Sequence, residues 1–244
     1  MEVYTKHVTH PDQAGAEAAG LRWLAQANPE VVAEVAGVGE NSISTRRVRQ
    51  APPSPEAAFA FGRALRQVHE AGAEAFGAPP AGWSGANYIG RIEQECTPTE
   101  SWGEFYVQQR VLPFAEAAPL PQEVRSVVQR AAEAIQGTDW DVAPARIHGD
   151  LWAGNVLFTE RTAVMIDPAA HGGHPHTDLG MLELFGTPYF SEILRGYGAA
   201  EKATRWLPMH QLHPLAVHAL THGPAYYAPL GDAAQATLHA LGRS

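Results

Sequence analysis

Apolar and polar positions alternate over residues 2–8, Glu-Val-Tyr-Thr-Lys-His-Val, the period-two signature of a strand. The pattern then turns Ala-rich over 12–28, with Leu21, Trp23 and Leu24 among its apolar positions. That predicts a helix opened by Pro11-Asp12. Residues 31–36 and 42–48 predict two more strands around a Gly-rich turn, which completes a small β-α-β-β unit. Gln50-Ala51-Pro52-Pro53 ends it as a linker or hinge. Ser54-Pro55-Glu56 then opens a helix with an N-cap, a proline at the first helical position and an acid in the first turn. Phe61, Leu65 and Val68, spaced by four and three, predict its core face.

A Gly- and Pro-rich stretch over 77–98 predicts a long loop of functional or mobile character. Helices are predicted over 99–111 and 122–136, a short β pair over 156–158 and 163–166, and helical structure from 176 to the end. The expected fold class is therefore α+β. A small N-terminal lobe, residues 1–50, precedes a large, mainly helical C-terminal lobe, residues 51–244.

Composition narrows the function classes. With 244 residues and 45% apolar content the chain can bury a sizeable core. The 17 basic against 26 acidic residues leave a formal charge of −9, which argues against nucleic acid or an anionic membrane as main partner. Lys6 and Lys202 are the two lysines, so lysine-dependent chemistry has two candidates. The single cysteine, Cys96, rules out an internal disulfide framework and a Cys-based zinc site, and no basic neighbour in sequence activates it. No apolar run approaches the roughly 20 residues of a membrane span, and no signal-peptide pattern opens the chain. The expectation is a soluble, cytoplasmic protein without membrane or nucleic-acid partners.

The candidate chemistry sits in residues 147–180. His148, Asp150 and Asn155 form an H-x-D-x4-N loop, and Asp167 follows the short β pair. This order suits phosphoryl transfer, in which an Asp takes the proton of the accepting hydroxyl while an Asn and a second Asp hold magnesium. Asp150 is thus the candidate base, and Asn155 and Asp167 are the candidate metal ligands. Trp152, inside the loop, offers an indole face to a sugar or a cationic amine. His148 and Asp178 read as structural braces for the loop.

Around these residues the match to a known family becomes specific. His148-Gly149-Asp150-Leu151-Trp152-Ala153-Gly154-Asn155, Asp167-Pro168-Ala169, Asp178-Leu179 and Leu184-Phe185-Gly186 resemble the fructosamine (ketosamine) kinase family, a branch of the aminoglycoside-phosphotransferase-like kinases. Weaker likeness extends through Glu17-Ala18-Ala19-Gly20-Leu21 to most of the chain. The resemblance implies a protein-kinase-like bilobal fold and phosphorylation, dependent on ATP and Mg2+, of a sugar hydroxyl on a glycated small amine or glycated protein. It implies nucleotide contacts from Lys6, paired with Glu17, and from Arg47 and Val48 at the hinge. It also places His174 in the substrate loop.

The chain departs from the family pattern in places. Five residues precede Lys6, so the N-terminal β lobe is expected to be truncated, without the hairpin that covers the phosphates. Arg46 stands where the family has an acid, and Pro175-His176 replaces its Arg-Glu pair. Two other readings remain open, an aminoglycoside or amino-sugar phosphotransferase and a nucleotide-binding pseudokinase without turnover. The histidines over 171–176 match no zinc spacing, so a loop role is expected for them. His210, His213, His218 and His222 read as ordinary core or surface histidines on a helix interrupted by Pro214. Oligomeric state is not legible.

Overall fold

The computed structural model describes residues 2–199 and 204–243; Lys202 lies outside them. Strand β1 (Val3–His7), helix α1 (Pro11–Ala25) and strands β2 (Val35–Gly39) and β3 (Ser42–Arg46) form the small lobe. Its antiparallel sheet has the order β1-β3-β2, with Lys6 opposite Ile43. Pro11 occupies the first turn of α1, and the Gln13 side chain accepts the His10 backbone N–H at 3.3 Å, closing the helix start. Ala14, Ala18, Leu21 and Leu24 form its buried stripe.

The second strand differs from expectation. Asn28 caps a 3-10 turn, Pro29–Val31, so α1 stops earlier and β2 starts later than the pattern suggests. Val32 pairs instead with Met165, and the Ala33 N–H donates to the Met165 carbonyl at 3.0 Å. Proline at 29 favours the tight turn, and the bond to Met165 uses up backbone that a longer β2 would need.

Helix α2 (Pro55–Glu70) begins as expected, with the Ser54 hydroxyl accepting from the Ala57 N–H at 3.1 Å, a cap that stabilises by about 1 kcal/mol. Phe61, Leu65 and Val68 are fully buried. The stretch 77–98 is not a free loop. It folds into a hairpin, β4 (Asn87–Ile89) with β5 (Ile92–Gln94), whose three-residue strands are too short to show periodicity. Buried Gln109 and Arg110 pin the residues after it: Gln109 Nε2 donates to the Thr97 carbonyl at 2.8 Å and Arg110 to the Glu95 carbonyl at 2.5 Å.

Those two residues belong to α3, whose α-helical ends Trp102–Phe105 and Leu112–Ala117 flank a π-helical stretch, Tyr106–Val111. Helix α4 (Gln122–Gln136) follows, then strand β6 (Ala145–Ile147). The β7 (Val156–Phe158)–β8 (Ala163–Met165) hairpin comes next, then β9 (His171–Gly173), antiparallel to β6. The chain closes with α5 (His176–Leu184), α6 (Phe190–Tyr197), α7 (Leu207–His222) and α8 (Tyr227–Ala240). Among the described residues, no helix is long and apolar enough to cross a membrane.

Pro214 does not interrupt α7; it lies inside a helix that runs on to His222. The Tyr106 hydroxyl enters the backbone ladder there. It accepts from the His213 N–H at 3.3 Å and donates to the Met209 carbonyl at 2.7 Å, bridging the ladder pair in the turn just before the proline.

Helices α2 and α6 touch backbone to backbone. A Cβ on Gly62 would lie 2.1 Å from the Ile193 carbonyl oxygen, and one on Gly196 would lie 2.0 Å from that of Phe59. Gly62→Ala is therefore expected to destabilise by ~1–3 kcal/mol through overpacking, although alanine in a free helix would gain ~1 kcal/mol over glycine. Thermal denaturation reads the sign, and an unchanged or higher midpoint would show that the two helices can part without cost.

Two buried apolar clusters fill the molecule. One joins Leu21, Leu24 and Ile43 of the small lobe to Phe61, Leu65, Leu151, Met165 and Ile193, so it continues past residue 50, where the sequence suggests a linker or hinge. The other packs Trp102, Tyr106 and Val107 of α3 against α4, α7 and α8.

Candidate functional site

The loop after β6 is shaped by a buried carboxylate. Asp178, from the first turn of α5, accepts the His148 N–H at 2.8 Å and the Gly149 N–H at 2.9 Å, and His69 Nε2 lies 3.0 Å from it. Burial acts to raise the Asp178 pKa, but the hydrogen bond and charge of His69 and the bonds from His148 outweigh it and hold it below its ordinary value. His148 Nε2 meets the Ile166 carbonyl at 2.8 Å while Nδ1 accepts the Asp150 N–H at 3.2 Å, so one ring links the loop to the strand before Asp167. Gly149 has φ +79°, and a Cβ there would lie 2.4 Å from the Ala169 carbonyl oxygen; only glycine fits this turn. His69 was not foreseen: it ends α2, and nothing in its local sequence points to Asp178.

These bonds bring Asp150 to the floor of a cleft of about 790 Å³. Asn155 Nδ2 donates to the Asp150 carbonyl at 2.8 Å and reaches its carboxylate at 3.4 Å. Asp167 has φ +52°, a left-handed conformation that Asp tolerates better than most residues, and it too lines the cleft. Lys6 comes from β1 to meet Glu17 of α1 at 2.8 Å and Asp167 at 3.0 Å. The structure thus assembles Lys6, Glu17, Asp150, Asn155 and Asp167 from both lobes at one place.

Charge is concentrated there. Burial, helped by the nearby Asp167 charge, pushes the Asp150 pKa up to about 7, against the Asn155 hydrogen bond and Lys6. Burial likewise pushes Glu17 up to about 7, against the pull of Lys6. Burial works against the Lys6 ammonium, yet the charges of Glu17 and Asp167 outweigh it and raise that pKa above its ordinary value. The Asp167 carboxylate and the Asn155 amide line the cleft together and offer oxygen donors, the kind a hard divalent cation such as Mg2+ takes. The Asp167 charge raises the cost of ionising Asp150, and a cation there would relieve it.

A second cavity opens beside the first, sharing Lys6, Glu17 and Asp167 with it. Arg47 and Val48, the residues expected at the hinge, line it with Ile43, Leu157 and Ile166. Trp152 is 43% exposed and lines the main cleft. It meets Phe185 edge-on at 6.2 Å; Phe185 packs on His218 at 4.9 Å, and His218 on Tyr226 at 4.9 Å. This aromatic wall, with His222 beside it, went unnoticed in the sequence because its members are far apart along the chain. His174 does not join the cleft. It is turned inward against Trp102 and His210, because β9 pairs with β6 and carries the following turn into the core. A direct substrate contact from His174 is therefore corrected by the geometry.

Comparisons with known proteins identify the family. A family model described as fructosamine kinase matches residues 3–239. The chain belongs to the fructosamine kinase family. A protein of Thermus thermophilus named as a probable ketoamine kinase is 30% identical over 230 residues, which is 91% of this chain and 81% of that relative. The crystal structure of a fructosamine-3-kinase candidate from Thermobifida fusca YX-ER1 superposes with a TM-score of 0.89. It shares 40% identity and is covered to 85%, with 97% of this chain aligned. ADP-bound aminoglycoside phosphotransferase APH(2'')-Ib, at a TM-score of 0.62 and 13% identity over 98% of this chain and 88% of that one, shares the fold alone. This fructosamine kinase family member accordingly has the kinase-like α+β fold and is a sugar-amine phosphotransferase, with ATP as the family's phosphate donor.

Proposed function

We propose that this chain transfers the γ-phosphoryl group of ATP, with Mg2+, to a hydroxyl of a ketosamine, a small amine or protein lysine glycated by a sugar. The observation that carries the reading is one cleft lined by two unlike groups. One is polar, with Lys6 ion-paired to Asp167 and Asn155 hydrogen-bonded to Asp150; the other is the contiguous aromatic run Trp152, Phe185, His218 and Tyr226.

On this reading Asp150 accepts the proton of the acceptor hydroxyl as its oxygen attacks the γ-phosphorus and the bond to the β-phosphate oxygen breaks, leaving ADP. Its raised pKa makes it a competent base near neutral pH. Lys6, steadied by Glu17, lies where phosphate oxygens would need a positive charge. Asn155 and Asp167 would hold the metal, which when bound neutralises charge on the phosphates. Arg47 and Val48 border the adjoining cavity, where the nucleotide base would rest. Trp152 and its aromatic neighbours offer faces for sugar C–H surfaces and for the ketosamine amine.

The cleft also speaks against an aminoglycoside acceptor. Among the described residues, its lining acids are Glu17, Asp150 and Asp167; Glu17 is already paired with Lys6, and Arg91 stands on the rim. A polycation would find no additional carboxylates to bind it. The test is ADP release with Mg-ATP and a panel of fructosyl- and ribulosyl-amines, free sugars and aminoglycosides. Turnover is expected with the ketosamines and none with aminoglycosides. Turnover confined to aminoglycosides, or none with any ketosamine, would overturn the reading.

A further inference from the structure

At the start of α5, outside the lining of the cleft, three imidazoles converge. His174 lies in the turn after β9, His176 is the first residue of α5, and His210 comes from α7. Each offers one ring nitrogen, and the three nitrogens lie within 4.8 Å of one another. None of the three lines the cleft that holds Asp150. We propose that His174, His176 and His210 form a binding site for a zinc ion, separate from the oxygen donors of the cleft.

Four observations support it. His210 Nε2 is buried and has no hydrogen-bond partner. A buried ring nitrogen left open is costly in a core, and a metal ion would satisfy it. The other nitrogen of that ring, Nδ1, lies 3.2 Å from the Thr177 hydroxyl, the kind of outer contact that orients a ligating histidine. The Trp102 ring, 4.9 Å from His174 and 5.2 Å from His210, walls the site from solvent. Burial also favours the neutral, lone-pair-bearing form of all three rings.

The donor set is all nitrogen. Such a set suits zinc, nickel or copper and not magnesium or calcium, and three histidines with an open fourth position suit zinc's tetrahedral preference. Zn–N bonds of ~2.0–2.1 Å would draw the nitrogens to roughly 3.4 Å apart, a closure within reach of side-chain rotation at half-buried His176. The His176 N–H now donates to His174 Nδ1 at 3.0 Å. Metal at Nε2 would shift that ring's proton to Nδ1, and the amide, an open donor of the helix's first turn, would give up this contact. Residue spacing alone could not reveal the site, because its third member comes from another helix.

The ion would tie the start of α5 to α7. Since α5 carries Asp178, the tie would stiffen the support of His148 and Gly149 without touching the reacting atoms. The experiment uses untagged protein, stripped by chelator and then offered Zn2+ or Co2+. Metal content, the Co2+ ligand-field spectrum and the thermal midpoint are read together. One ion per chain and a raised midpoint are expected. His176→Gln should weaken binding by about tenfold or more while keeping the fold, and His222→Gln should leave it unchanged. The proposal falls if the wild-type chain retains no zinc at micromolar free metal, or if His176→Gln binds as tightly. It also falls if His222→Gln abolishes binding, because the ion would then belong to the stacked His218–His222 pair.

Discussion

Replacing Asp150 with Asn is expected to lower kcat by about 10²–10⁴-fold, the usual worth of a positioned base. Asn keeps the shape of the side chain but cannot take the hydroxyl proton, so ATP binding should survive the change. Single-turnover ADP formation measures the loss. Activity within tenfold of wild type would remove Asp150 from the role of base.

The same variant should be more stable than wild type at alkaline pH. Burial and Asp167 hold the Asp150 pKa at about 7 in the folded chain, above its ordinary 3.8. The folded state therefore binds this proton more tightly than the unfolded one. The carboxylate costs nothing below pH 3.8, costs progressively more as pH rises, and reaches its full penalty above pH 7. Between pH 5 and pH 8 the stability advantage of Asp150→Asn should grow by roughly 2 kcal/mol. Urea midpoints of the metal- and nucleotide-free protein at the two values provide the comparison; an advantage that does not change with pH would mean that the carboxylate is not held charged at a cost.

Asp178→Ala is the second large effect, and it acts on stability first. The change leaves the buried His148 and Gly149 N–H groups and His69 without their acceptor. Each orphaned N–H costs ~1–3 kcal/mol, so the two backbone groups and the His69 ring together cost ~3–5 kcal/mol. A loss in that upper range is expected in urea unfolding, together with reduced turnover as the loop loses its support. Asp178→Asn, which keeps one acceptor oxygen, should recover part of both. If Asp178→Ala costs less than about 1 kcal/mol, a value typical of an ordinary hydrogen bond, other contacts hold the loop.

The part of this molecule that was legible in sequence is the part whose chemistry is contiguous. His148 to Asn155 lie on one loop, and the hairpin that delivers Asp167 is short and apolar. Helix α2 announced itself through Ser54-Pro55 and an unbroken core stripe. Less legible were elements of three residues, such as β4, β5, β6 and β9, where two or three positions cannot establish a period. The strand expected at 31–36 was displaced because Pro29 turns the chain and Met165 captures the backbone of Val32 and Ala33. A proline ends most helices, but Pro214 lies inside α7, where a tyrosine hydroxyl from α3 bridges Met209 and His213 in the turn before it. The aromatic wall, the His69–Asp178 pair and the three-histidine cluster are products of tertiary packing, and local pattern holds no trace of them. His174 shows the limit most sharply: its place in a motif suggested the substrate, and its burial shows a core contact.

The apolar cluster that runs from Leu21 and Ile43 through Phe61 to Met165 and Ile193 has a consequence for motion. The small lobe is anchored in the same greasy seam as α2 and α6, with the Ala33–Met165 and Ala51–Phe158 backbone bonds stitched along its edge. A wide swing of the small lobe would wet the side chains of that seam, so movement against α2 and α6 is restricted to slight tilting about it. Heat should likewise find no weak joint at residue 50, so the lobes melt as one cooperative unit.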